Sequence, residues 1–175
     1  AHICGLSMGG MVAQEIYRQA PGMCRSLMLV STYHYAPMIL GKFFLKYRKA
    51  RAENNSPKAI TERSAKVCLY SWSKENIETF SKFYKPNSEF FFKSMEACLK
   101  VNNLTLLPKI KVPTLIIGGQ YDSVIPVWVQ FLMHKQIRHS EFVIFRNTGH
   151  VAKLEAKDEF NKVLRTFLNK HKRAS

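Results

Sequence analysis

The chain has 175 residues, of which 46% are hydrophobic, and a formal net charge of +15. That composition suits one globular domain with a sizeable core, and no apolar run is long enough to cross a bilayer. The positive residues are spread over Lys42, Lys46, Arg48, Lys49, Arg51, Lys109, Lys111 and the tail Lys170-His171-Lys172-Arg173 without any nucleic-acid module, so the excess reads as a solvated basic surface with no nucleic-acid partner.

Ala1 to Cys4 reads as the end of a strand, with apolar Ile3 before a glycine-rich turn, Gly5-Leu6-Ser7-Met8-Gly9-Gly10. This is a G-x-S-x-G elbow, a sharp strand-to-helix turn that lifts a serine above a sheet. A side chain at position 5 or 9 is expected to collide with neighbouring backbone. Met11, Val12, Ala13, Ile16 and Tyr17 then follow at helical spacing to about Gln19, and Ala20-Pro21-Gly22 stops the helix. The first N–H groups and the positive dipole end of that helix point at the serine. No G-K-[ST] or G-x-G-x-x-G follows, which sets aside a phosphate-binding loop. Ser26 to Thr32 is a continuous apolar run, as in a strand covered on both faces. Strand, helix, strand with so short a crossover implies parallel neighbours.

Between residues 33 and 107 strand-like runs vanish. Ile39, Leu40, Phe43, Phe44 and Tyr47 share one helical face, with Lys42, Lys46 and Lys49 on or near the other. Asn54-Asn55-Ser56-Pro57 turns the chain; Ile60–Ser73, Ile77–Tyr84 and Phe90–Asn102 read as further helices, with a break at Lys85-Pro86-Asn87-Ser88. The whole stretch is a helical insertion between two strands of one sheet. Its 38–51 helix fits three roles: a lid over an apolar pocket, a plain cap packed on the sheet, or a membrane-surface helix. Thr114 to Gly119 is the next buried strand, followed by the loop Gln120–Pro126 and a helix from Val127 to about Ile137. Glu141–Phe145 is the last strand, Arg146–His150 the loop at its end, and Val151–Asn169 a single closing helix with Leu154, Phe160, Val163, Leu164, Phe167 and Leu168 on one face.

Ser7, Asp122 and His150 thus each follow the carboxyl end of a parallel strand, the edge where open α/β sheets place ligands. The acid is constrained by number, since Asp122 and Asp158 are the only aspartates and Asp158 falls in the last helix. His134, His139 and His171 lie in or near surface helices, His2 is at the start, and His34 follows a strand end, where a structural role fits it best. The four cysteines, Cys4, Cys24, Cys68 and Cys98, lack C-x-x-C or Cys/His ligand spacing. They read as small buried residues of a reducing, cytoplasmic compartment, with no disulfide or metal site, and no cofactor is expected.

The order serine, acid, histidine is that of the α/β-hydrolases. The sequence resembles that superfamily over its length, through Gly5–Gly10, Val112-Pro113-Thr114-Leu115 to Gly118, Asp122 to Pro126, and Gly149-His150 followed by Glu155 and Phe160. The resemblance implies a three-layer α/β fold with an incomplete parallel sheet of about four strands, helices on both faces and a lid at 33–107 inserted in one domain, 1–175. It implies a Ser7–His150–Asp122 triad: His150 takes the Ser7 proton and Asp122 fixes the imidazole. One oxyanion donor would be the Met8 backbone N–H. The superfamily takes the other from a loop after an early strand, which this sequence does not contain. The chain as given is therefore expected to catalyse poorly, and its first strand to show an unpaired edge.

A serine at the elbow separates the chain from the dehalogenase and epoxide hydrolase branches, which use aspartate there. Gly5 to Met11 with Pro21 and Ser26–Leu29 looks most like the esterase, enol-lactonase and C–C-bond hydrolase branch, and the 3-oxoadipate enol-lactonases share that opening well. The implied activity is hydrolysis of a carboxylic ester or lactone of a small apolar substrate through an acyl-enzyme. The alternatives are a C–C-bond hydrolase and a non-catalytic binding module of the same fold.

Overall fold

The computed structural model describes residues 1–36, 38–84 and 89–172. The break at 85–88, Arg173 in the basic tail, and the side chains of Ile39 and Leu40 lie outside the described residues. In order along the chain stand β1 (His2–Leu6), α1 (Met8–Gln19), β2 (Ser26–Val30), α2 (Met38–Glu53), α3 (Pro57–Cys68), α4 (Lys74–Phe83), α5 (Glu89–Cys98), β3 (Thr114–Gly119), α6 (Val127–Gln136), β4 (Ser140–Phe145), α7 (Ala152–Glu155) and α8 (Lys157–Lys170). The four strands form one parallel sheet in the order β1-β2-β3-β4. Gly5 lies opposite Leu29, Leu29 opposite Ile116, and Ile116 opposite Phe142.

The apolar runs of β2 and β3 are buried on both faces, and the side-chain alternation of a strand splits them between two cores. Leu27, Leu29 and Ile116 pack with Ala13 and Tyr17 of α1 and Met133 of α6. Met28, Val30, Leu115 and Ile117 face the other way, against Phe160 and Phe167 of α8. Helix, sheet and helix make three layers, and all four carboxyl strand ends meet at one edge. Truncating a fully buried side chain such as Leu29 removes contacts in a layer that has little room to collapse. Such changes cost about 2–5 kcal/mol.

Helices α2–α5 all lie between β2 and β3. Ser56 and Ser73 cap α3 and α4, each accepting from the backbone N–H three residues on. Ser56, with Pro57 at the first helical turn, starts α3 earlier than the apolar spacing predicts, and the chain leaves helical geometry at Leu69, after Cys68. Ala65, Leu69 and Phe80 form a third small core, against Val151 and Leu154 from beyond β4. Of the expected apolar face of α2, the described side chains Phe43, Phe44 and Tyr47 are exposed, and Leu45 is buried instead. Gly41 also faces the neighbouring helices, its missing side chain making room for Leu99 after α5. Gly41, Leu45 and Arg48, one helical turn apart each, therefore set the packed face.

The closing helix is broken into α7 and α8 at Ala156, which leaves helical geometry at φ −129° and ψ 48°. Of the cysteines, Cys24 is buried, Cys68 and Cys98 are half-buried and Cys4 is exposed, all as free thiols, so burial is not their common feature. β1 pairs with β2 alone, leaving its other edge unpaired among the described residues. No helix among the described residues is long and apolar enough to cross a membrane.

Candidate active site

Ser7 is the single residue between β1 and α1, and it takes a left-handed backbone, φ 53°. A serine there carries strain that its surroundings must hold in place. The ties are backbone ones. Ser7 N–H donates to the Val30 carbonyl at 2.8 Å, and the Ser7 carbonyl accepts from Gly10 N–H at 2.9 Å and from the Thr32 hydroxyl at 2.7 Å. A Cβ on Gly5 would run into the Gly9 carbonyl, and one on Gly10 would meet the Thr32 side chain at 2.6 Å. Gly9 itself faces open space, so the crowded pair is 5 and 10 rather than the expected 5 and 9. Met8 opens α1, where the first N–H groups have no partner within the helix.

Asp122 follows β3 and is 5% exposed; His150 follows β4 and is 6% exposed. The Asp122 Oδ1 atom accepts from the N–H groups of Val124 and Ile125 at 2.9 and 2.8 Å, and Oδ2 lies 2.9 Å from His150 Nδ1. The carboxylate is thus aimed by its own loop. A carboxylate on Nδ1 keeps that nitrogen protonated and leaves Nε2 with a lone pair. The two loops are sewn together: Gln120 N–H donates to the Phe145 carbonyl and Tyr121 N–H to the Thr148 carbonyl. A Cβ on Gly119 would overlap the Gly149 carbonyl.

The insertion grips both loops at the end of α3. His150 N–H donates to the Cys68 carbonyl at 2.7 Å and the Ser123 hydroxyl to the Val67 carbonyl at 2.7 Å. The Tyr70 ring stacks on Tyr121 with centroids 4.6 Å apart. Glu155 is the hub: Oε1 accepts from Tyr70 and Ser71 N–H, each at 2.8 Å, and Oε2 from Gly149 N–H at 2.7 Å. Burial pushes the Cys68 thiol up to about 11, so it stays protonated at neutral pH.

Ser7, Asp122 and His150 stand at one edge of the sheet, and the acid–imidazole contact is made. The Ser7 hydroxyl makes no hydrogen bond to His150 in this structure. The remaining histidines are engaged elsewhere or isolated. His2 bonds Ser26 and His134 bonds Ser140. His34 is buried with Nδ1 unpartnered. Sequence reasoning missed Thr32, the position of Glu155 as a bridge, and Ser31, which is fully buried at φ 43° with an unpartnered hydroxyl. None of these carries a local signal, because each matters through a neighbour distant in sequence. No group of three or more His, Cys, Asp or Glu among the described residues is placed to hold a metal.

The family profile for the alpha/beta hydrolase fold matches residues 1–157. Over 63 residues, 36% of this chain and 20% of the relative, the sequence is 48% identical to a proline iminopeptidase of Saccharolobus solfataricus. Among solved structures, a thermophilic esterase from Thermogutta terrifontis superposes with a TM-score of 0.85 at 24% identity, over 96% of this chain and 64% of the esterase. The enol-lactonase from Burkholderia xenovorans gives 0.83 at 20% identity, over 97% of this chain and 65% of the lactonase. The chain therefore spans less than two thirds of the length of each of these proteins.

Proposed function

The chain belongs to the alpha/beta hydrolase fold family, and we propose that it carries the nucleophile, base and acid of a serine hydrolase acting on a carboxylic ester or lactone of a small apolar substrate. The observation that carries this reading is the buried Asp122–His150 pair at the strand edge where Ser7 stands in its left-handed elbow. In the reaction, His150 Nε2 removes the Ser7 hydroxyl proton as Oγ bonds to the carbonyl carbon. Asp122 stabilises the imidazolium without itself taking the proton. The Met8 N–H stabilises the oxyanion. Collapse re-forms the carbonyl and breaks the bond between its carbon and the alkoxy oxygen, and His150 gives its proton to that leaving alcohol. Water then attacks the acyl-Ser7 ester by the same route and releases the acid. The open Ser7–His150 contact is compatible with this chemistry, since catalytic hydrogen bonds are often long in unliganded enzymes and tighten with substrate.

The names of the esterase and enol-lactonase neighbours agree with ester or lactone chemistry. We read the helices between β2 and β3 as a lid, supported by their grip on the loops of Asp122 and His150. Four free thiols support a cytoplasmic setting. The unmade Ser7–His150 bond favours one other reading, a binding module that does no chemistry. A fluorophosphonate probe separates the two. An adduct on the Ser7 peptide by mass spectrometry, lost in Ser7→Ala and in His150→Ala, is expected, slow in a chain without the second oxyanion donor; a folded protein that takes no adduct even on prolonged exposure and with that donor restored would support the binding module.

A further inference from the structure

Within the insertion, α2, α3 and α5 line an open cavity of about 300 Å³ to which none of Ser7, Asp122 or His150 contributes. Among the described residues its lining holds Arg48, Arg51, Arg63 and Lys66 and not one carboxylate. Among the described residues no acidic side chain pairs with these four. Cations brought together without counter-charges repel, so the cluster is stabilised by an anion that enters it.

The hydrogen bonding has the same polarity. Arg48 Nη2 donates to the Tyr84 hydroxyl at 2.9 Å, and the Ser64 hydroxyl donates to the same oxygen at 3.0 Å. The Tyr84 oxygen thus accepts from a guanidinium that can only donate. Arg51 Nη1 donates to the Tyr47 hydroxyl at 3.0 Å, leaving Tyr47 in the same condition. Each guanidinium spends one of its five N–H groups on a tyrosine and retains the rest. The Arg48 fork is held over two rings, 6.0 Å from the Phe44 centroid and 5.8 Å from that of Phe91, so little freedom is left to lose on binding. Ile60, Val67 and Phe92 complete apolar walls.

We propose that this cavity binds a small organic carboxylate with a flat apolar body, its oxygens taken by Arg48 and Arg51 and its body laid against the aromatic wall. Two arginines three residues apart on one helix present forks that match a carboxylate. The site does not depend on the serine chemistry. It lies close to it, since Val67 lines the cavity and the next residue, Cys68, accepts the His150 N–H.

Calorimetric titration of the folded chain with 1-naphthoate, and with the neutral 1-naphthalenemethanol, tests the proposal. The same titrations are run on Ser7→Ala, so binding is read whether or not Ser7 is a nucleophile. One naphthoate site is expected, with the alcohol at least about tenfold weaker, the discrimination a lost charge-assisted contact gives. Arg48→Met and Arg51→Met should each weaken naphthoate by a similar factor. Arg48→Lys should fail to restore it, because a point charge lacks the fork. Lys162→Met, on α8, should change nothing. Equal binding of acid and alcohol, loss in Lys162→Met as large as in the arginine variants, or no naphthoate binding would overturn the proposal. Arg51→Met, which leaves the Arg48–Tyr84–Ser64 chain intact, keeps the test open if Arg48→Met unfolds. Tight competition by inorganic phosphate alone would also count against it, since the apolar wall would then contribute nothing.

Discussion

Ser7 owes its strained backbone to two small neighbours. Gly5→Ala would drive a methyl group into the Gly9 carbonyl, and Gly10→Ala into Thr32, whose hydroxyl holds the Ser7 carbonyl. Both variants should lose about 1–3 kcal/mol of stability, the usual cost of overpacking. Gly9→Ala, in open space within α1, should be neutral or stabilising by up to about 1 kcal/mol, since alanine is the better helix former. Urea midpoints of the three variants check the ranking; a Gly9→Ala loss as large as that of Gly5→Ala would contradict it. His34 supplies a pH dependence. Burial pushes its imidazole below the ordinary value of 6.5, so on acidification the unfolded chain takes up this proton before the folded one does. The stability it contributes is present above the unfolded value and is lost as pH falls from there through the lower folded value. Urea midpoints at about pH 7.5 and about pH 5 should fall further for the parent than for His34→Gln, and parallel falls would refute the assignment.

At the level of elements, the seam between the insertion and the sheet edge concentrates on Glu155. Its carboxylate collects N–H groups from both sides, two from residues 70 and 71 and one from Gly149. The closing helix breaks at the next residue, Ala156. Glu155→Gln keeps the shape but loses the charge and one acceptor. A loss of about 1.5–3 kcal/mol is expected from hydrogen bonds to a charged group. Because Gly149 adjoins His150, labelling of Ser7 by a fluorophosphonate should slow as well. Unchanged stability and labelling would mean that the carboxylate is replaceable by solvent. The sequence could not reveal this break, because the apolar spacing of 154, 160, 163, 164, 167 and 168 runs straight through it. Nor could it reveal which way α2 faces, since Gly41 matters only once Leu99 is beside it. The strands were legible for the opposite reason. Ser26–Val30 and Thr114–Gly119 announce burial on both faces by composition alone. Asp122 was legible by scarcity, and Ser31 and Thr32 were not, because a polar residue after a strand says nothing about its backbone angles.

For the molecule as a whole, the sheet edge sets where the candidate residues stand, and the insertion is hydrogen-bonded to the loops that carry two of them. The positive charge is also distributed in kind: the ion pairs of Lys49 with Glu96 and Lys170 with Glu141 are exposed and worth little, whereas Arg48 and Arg51 of the insertion meet aromatic rings and hydroxyls. The unpaired side of β1 has a further consequence. Peptide groups along that border have spent their bonding capacity on one flank only, and Met8, Val12 and Ile16 lie exposed on the helix that follows. Such a border is a template for pairing with an extended segment, another copy included. The 175-residue chain should therefore sediment as heavier species as its concentration rises, and an added extended peptide that docks there should return it to single particles.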